Sequence, residues 1–231
     1  MTRSELTSIV QKKIEEDAAQ SFRWYTDQQI ANALNDGLII YSALTMCIET
    51  SIPIACSAGN AFYDVLNAEP RAIAVLRVTE NGVRLAPDRI QAFKAGNNSW
   101  RLHPGPPERF AVVGANLLAA HPVPSSSSIT LSVTLARTAA VMLFGSSIPE
   151  IPEEDHFSLA EYAAWFLPTA KEGASEKANQ CLSRFLETVA VRIAQVRDRS
   201  NSRGYLTMPM PINKEAIQKL VEATSERRRN R

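Results

Sequence analysis

Hydrophobic positions recur at helical spacing near both ends of this chain and at strand spacing between them. The clearest stripe comes late. Leu182, Phe185, Leu186, Val189, Ile193 and Val196 fall on one side, with Ala178 and Ala190 filling in. Lys177, Arg184, Glu187, Arg192 and Arg197 fall mostly on the other. Ser175 is placed to cap the helix, because its hydroxyl can accept from an orphan N–H of the first turn. A helix from Ser175 to Asp198 would run roughly 36 Å at 1.5 Å per residue. A second helix is predicted from Glu154 to Lys171, presenting Leu159, Tyr162, Ala163 and Phe166. Pro168 should kink or end it. The two meet at Lys171-Glu172-Gly173 and make a hairpin.

Residues 2–50 predict another helical pair. Thr2 with Glu5, and Thr26 with Gln29, have the spacing of capping boxes. Tyr25 and Ile30 stand where a hydrophobic staple would put them. Leu6, Ile9, Val10 and Ile14 stripe the first helix. Ile30, Leu34, Leu38, Tyr41, Leu44 and Ile48 stripe the second. Gly37 interrupts that helix at a cost of about 1 kcal/mol relative to Ala, which predicts close packing or a bend there.

After Pro53 the period shortens. Residues 71–78 are apolar and β-prone, and Asn81-Gly82 separates them from Val83-Arg84-Leu85. Both central residues of a type I′ turn need positive φ, which Asn-Gly supplies. Residues 110–113 and 116–119 predict two more strands, and residues 129–135 alternate strictly. About five strands are expected. The fold class that follows is α+β: mainly an α-helical bundle of two hairpins, with an inserted small antiparallel β-domain and an extended C-terminal tail. The predicted divisions are 1–52 and 151–203 for the packed hairpins, 53–150 for the β-domain and 204–231 for the tail.

The 231 residues carry a formal charge of +1, which argues against a surface built throughout for nucleic acid. Cys47, Cys56 and Cys181 are odd in number and form no CxxC pair, so a reducing compartment and buried thiols are expected. No apolar run reaches the roughly 18 residues of a membrane span, and no secretion signal opens the chain. Phosphate-cradling, nucleophile-elbow and zincin motifs are missing. His103 and His121 precede prolines and are expected at the surface or in turns. Glu153-Glu154-Asp155-His156 is expected to complement the dipole of the helix it opens. Trp24 and Tyr25 are expected to pack rather than stack on bases, and Trp100 is either an interface aromatic or a β-core residue. No cofactor, metal or catalytic residue is expected.

The tail has its own pattern. Asn213 can cap a short helix reaching Glu226, with Ala216, Ile217, Leu220 and Val221 on one face. Arg227, Arg228, Arg229 and Arg231 close the chain. Such a segment is either a solvated end, a helix that folds on docking to a partner, or an anchor for DNA phosphates.

The order of parts resembles head-to-tail adaptor proteins of tailed bacteriophages. Residues 22–41 (FRWYTDQQIANALNDGLIIY), residues 71–90 with Asn81-Gly82, Asn98-Ser99-Trp100-Arg101, and IPEEDHFSLAEYAAWFLPTAKEG before the last long helix carry the resemblance, over residues 3–200. It implies a non-enzymatic neck protein of the virion, made in the host cytoplasm. Its partners would be the portal protein, a downstream tail or nozzle protein and itself, in a ring of about twelve copies with heterologous contacts. Genomic DNA would pass through the lumen without sequence-specific binding, and no membrane is involved. The resemblance places portal docking in the C-terminal segment, where the candidate residues are Ile217, Leu220, Val221, Arg227, Arg228, Arg229 and Arg231. Two other readings stand beside it: a DNA-binding module using the arginine tail, and a virion-associated cell-wall hydrolase needing two carboxylates about 5–9 Å apart.

Overall fold

A computed structural model of the chain describes residues 1–14, 24–96, 99–114, 116–173 and 175–203. These form six α-helices: α1 (Arg3–Lys13), α2 (Asp27–Thr45), α3 (Val65–Ala68), α4 (Ile90–Gly96), α5 (His156–Glu172) and α6 (Glu176–Arg203). The strands are β1 (Glu49–Ala55), β2 (Phe62–Asp64), β3 (Ala72–Glu80), β4 (Val83–Arg84), β5 (Ala86–Pro87), β6 (Pro104–Gly105), β7 (Arg109–Val113), β8 (Leu117–His121), β9 (Val123–Pro124) and β10 (Thr130–Arg137). The α+β class expected from periodicity is the one observed. The chain divides into a helical unit, Met1–Cys47 with Ala139–Asp198, and a β-unit, Ile48–Thr138.

In the helical unit both predicted capping boxes form. The Thr2 hydroxyl accepts from the Glu5 N–H at 3.3 Å, and the Glu5 carboxylate accepts from the Thr2 N–H at 2.9 Å. Thr26 and Gln29 repeat the exchange at 3.2 and 2.8 Å. Each pair satisfies two donors that a bare helix start would leave orphaned. Ser175 accepts from the Ala178 N–H at 3.1 Å and starts α6 as its hydroxyl suggested.

α5 is the helix the others share, packing against both α1 and α2. Its residues 158–165 are all buried, including Ser158 and Glu161. A helix covered nearly all round is a core element rather than one side of a hairpin. α5 continues through Pro168 to Glu172, where the sequence predicted a kink or a stop. Proline removes one intrahelical bond; the turns before it are anchored by burial, while Pro168 and Thr169 are half-buried and Ala170 and Lys171 exposed. α6 closes the unit through Phe185, whose ring lies 6.3 Å from Tyr41 and 5.2 Å from Tyr162. It runs 28 residues, roughly 42 Å, and so extends past the predicted end at Asp198.

Gly37 is explained by close packing. A Cβ there would lie 2.8 Å from Cδ1 of Tyr162. The buried Tyr162 ring is stacked on Phe166 and sits edge-on to Trp165, so it is the α5 ring that demands the glycine on α2.

α2 stops earlier than its stripe suggested. Met46 takes left-handed backbone (φ +50°), and β1 begins at Glu49, so Ile48 is not helical. Ile48, Thr50, Ile52 and Ile54 alternate at spacing two, and this β-branched pattern wins over the continuing stripe. Pro53 lies inside β1, which the sequence reading passed over. It is tolerated because β1 is the edge of a sheet ordered β1-β10-β3-β4.

The predicted hairpin joins β3 to β4, with Thr79 opposite Arg84 and Glu80 opposite Val83. Asn81 and Gly82 both have positive φ, as a type I′ turn requires. β10 is the central partner of that sheet and begins at Thr130. Its alternation holds to Val133 and then breaks, because Thr134 is also buried and its hydroxyl is 3.0 Å from that of Ser51. A second sheet is ordered β2-β8-β7-β5. The longer strands pair antiparallel, while β5 with β7 and β6 with β9 make two-residue parallel pairings. One apolar cluster gathers Val78, Leu85, Phe110, Leu118, Leu131 and Val133, and another gathers Phe93, Trp100, Ala111 and Ala119.

Candidate functional site

The residues singled out for portal docking, Ile217, Leu220, Val221, Arg227, Arg228, Arg229 and Arg231, lie outside the described residues, as do residues 204–231 altogether. The chemistry that the described residues do place is ionic, aromatic and apolar.

The ionic part sits where α5 begins. The run Glu153–Asp155 makes one 3-10 turn before the helix, and the Asp155 side chain makes no capping bond. Its carboxylate turns inward. Arg192 Nε donates to Asp155 Oδ2 at 2.6 Å, and Arg192 Nη2 donates to Glu154 Oε1 at 2.8 Å. The Tyr41 hydroxyl donates to the same Asp155 oxygen. Asp155, Arg192 and Tyr41 are all buried. This corrects two expectations. The acidic run does more than complement a dipole, and Arg192 is not on the wet side of α6. Burial pushes the Tyr41 hydroxyl well above the usual tyrosine range, and the Asp155 carboxylate adds to it. Burial alone would lower Arg192, but its bonds to Glu154, Tyr41 and Asp155 outweigh that and raise it. His156 is buried too, with Nε2 3.0 Å from the Ile151 carbonyl. A carbonyl can only accept, so Nε2 carries the hydrogen.

Arg192 could have been found from the sequence. It stands seven residues after Phe185 and midway between Val189 and Val196, on the apolar stripe itself. A charged residue there requires a buried partner. Which carboxylate supplies it, 37 residues away, is set by tertiary packing.

A second buried carboxylate, Glu161 on α5, accepts from Lys13 Nζ at 2.8 Å. Arg184 approaches the same oxygen at 3.7 Å. Cys181 lies beside it, and burial together with Glu161 raises its thiol. Asp155 and Glu161 are thus each tied to a cation, which is scaffold chemistry. Among the described residues, no group of three His, Cys, Asp or Glu side chains is arranged to hold a metal ion.

In the β-unit, Trp100 resolves to the core. It lies 5.3 Å from Phe93 and 5.8 Å from Phe62. His121, expected at the surface, belongs to this cluster, 5.0 Å from Phe93. Burial and the nearby Arg109 lower its pKa, so it is neutral near pH 7. Tyr25 is buried, whereas Trp24 is exposed.

The exposed chemistry of the helical unit is apolar. Residues 139–151 form a loop that carries Val141, Leu143, Phe144 and Ile148 outward. Between α2 and α5 opens a groove of about 260 Å³ floored by Tyr25, Ala33, Phe166 and Leu167 and rimmed by Gln29, Asn32, Asp36 and Lys171. A locked core beneath fixed apolar surfaces is suited to holding other proteins.

The sequence profile of the SU10 adaptor protein family matches residues 1–208. The chain belongs to that family. It is a phage head-to-tail adaptor family, so the resemblance drawn from residues 3–200 is borne out. The adaptor is accordingly a bacteriophage virion structural protein of the neck type. No curated protein matches it in sequence. Among the described residues, no helix is long and apolar enough to cross a membrane.

Proposed function

We propose that this adaptor works without catalysis, as a ring of about twelve copies beneath the portal with heterologous contacts between neighbours. It joins the portal above to a tail or nozzle component below, and genomic DNA passes through its lumen. The observation that carries this reading is the family match over residues 1–208. The rigid core supports it, since Asp155 and Glu161 are held in ion pairs. A balanced net charge suits a channel through which DNA must slide, because many phosphate contacts would make it stick.

Portal docking belongs to the C-terminal segment. Ile217, Leu220 and Val221 would supply its apolar face, and Arg227, Arg228, Arg229 and Arg231 would pair with acidic groups on the portal. The family match ends at residue 208, before these residues.

Native mass spectrometry of the chain, alone and mixed with its portal ring, tests the reading. The expected result is a portal peak that gains about one adaptor per portal subunit, and loss of that gain on deleting residues 209–231. If the truncated chain still saturates portal rings, the docking segment is wrongly placed. If the full chain stays apart from portal at every concentration, the adaptor role itself fails for that pair. DNA affinity that falls steeply with salt and vanishes without Arg227–Arg231 would instead favour the nucleic-acid reading.

A further inference from the structure

The loop at residues 139–151 is an unusual place for large apolar side chains. Leu143 is 68% exposed, Phe144 70% and Ile148 64%, with Val141 half exposed beside them. Scattered surface hydrophobics are ordinary, but four within one short loop form a patch that marks an interaction site.

The loop is also fastened. Arg3 donates from Nη1 to the carbonyls of Met142 and Leu143 at 3.0 and 2.9 Å. The Arg3 and Ser4 N–H groups bond Ser147 and Gly145 at 2.8 and 3.0 Å. Asn35 on α2 accepts from the Met142 N–H at 2.8 Å. Gly145 presses so closely on α1 that a Cβ there would meet the Ser4 hydroxyl at 2.5 Å. The loop is therefore pre-organised, and ordering it on binding costs little.

The α2–α5 groove is its complement. It is smaller than the roughly 300–1,000 Å³ of small-molecule sites, and matches one or two apolar side chains. Asp36 and Lys171 line it, while Arg3 and Glu150 flank the loop, so each surface carries one charge of each sign. The two features lie on one unit and at different angles round α2. Gln29, Asn32 and Asp36 lie about 60–120° round α2 from Asn35, where the loop is tied, at 3.6 residues per turn.

We infer that Leu143 and Phe144 of one copy seat in the α2–α5 groove of the next copy. The contact is head-to-tail, so it closes into a ring when the rotation between copies allows. This deepens the ring reading above and rests on it.

Cross-linking tests the contact. Ser146→Cys places a thiol beside the knob, and Asn32→Cys places one on the groove rim; both positions are exposed. Rings, formed alone or on portal, are treated with a short bis-maleimide. The double variant should give a ladder of linked multimers, an equal mixture of the two single variants linked dimers, and each single variant alone at least tenfold less linkage. Phe144→Glu, folded by circular dichroism, should abolish rings. If wild-type rings form but the double variant links only within its own chain, or not at all, and Phe144→Glu assembles normally, the knob contact is wrong while the ring stands. If instead deleting residues 205–231 is what exposes the Asn32→Cys thiol, the groove holds the chain's own tail and the inference falls. If wild-type rings never form, the ring reading fails and takes the contact with it.

Discussion

Replacing Arg192 with methionine is the sharpest probe of how α6 is held on α5. Methionine keeps most of the apolar stem, so packing survives while the guanidinium is lost. What remains is a buried Asp155 carboxylate with the Tyr41 hydroxyl as its main partner. Breaking a buried ion pair by removing one partner costs about 3–5 kcal/mol. In a chain of this length each kcal/mol moves Tm by about 2–4 °C, so a fall of roughly 6–20 °C is expected. Glu154 supplies the control. It is 69% exposed, so its bond to Arg192 is solvent-screened and Glu154→Ala should cost about 0–1 kcal/mol. Combining Arg192→Met with Asp155→Asn removes both charges and keeps a partner for Tyr41. The double variant should recover about 1–3 kcal/mol of the single variant's loss. Urea unfolding at constant m-value measures all four proteins. If Arg192→Met costs no more than Glu154→Ala, and the double variant recovers nothing, the pair is solvated and the seating of α6 described above is wrong.

Two further outcomes follow from neighbouring contacts. Tyr41 stays protonated in the folded chain, while an unfolded tyrosine ionises near about pH 10. The folded state then binds the extra proton, so stability present below about pH 10 is lost as pH rises beyond it, by up to about 1.4 kcal/mol per pH unit. Tyr41→Phe should flatten that loss in unfolding curves taken from pH 9 to 11; an unchanged slope would show Tyr41 ionising freely. Gly37→Ala should not give the usual helix gain of about 1 kcal/mol, because overpacking against Tyr162 costs about 1–3 kcal/mol. A net loss of about 0–2 kcal/mol is expected, and relief when Tyr162→Leu is added. A stabilised Gly37→Ala chain would mean that α2 and α5 stand further apart.

Local signals were legible wherever the determining residues are neighbours in sequence. The Thr2–Glu5 and Thr26–Gln29 boxes, the Ser175 cap and the Asn81-Gly82 turn each depend on groups within four residues of one another, and each formed as read. The stripe of α6 was legible for the same reason, except at Arg192, whose environment is decided by Asp155. β1 was missed because Pro53 argues against a strand until the strand is known to be an edge. Pro168 was over-read because its local penalty is visible in the sequence and the anchoring of α5 by its buried residues 158–165 is not. His121 beside Pro122 reads as a turn residue until Phe93 and Trp100 are brought against it. Of the site, the apolar loop is spelled out at Leu143-Phe144, but its exposure depends on Arg3 and Asn35 holding the backbone from far away in sequence. The C-terminal docking residues fall outside the described part of the chain.

The helical unit is assembled from the two ends of the chain, and that has a temporal side. Lys13 meets Glu161 across 148 residues, and Tyr41 meets Asp155 across 114. At a synthesis rate of about 5–20 residues per second, α1 leaves the ribosome roughly 7–30 s before the segment carrying Glu161 exists. The strands of the β-unit, all between Glu49 and Arg137, are in hand well before then. The N-terminal stripe of Leu6, Val10, Ile30, Leu34 and Leu38 must meanwhile wait in the cell without its cover. During that interval the nascent chain offers chaperones a defined apolar segment, and only the synthesis of α5 and α6 withdraws it.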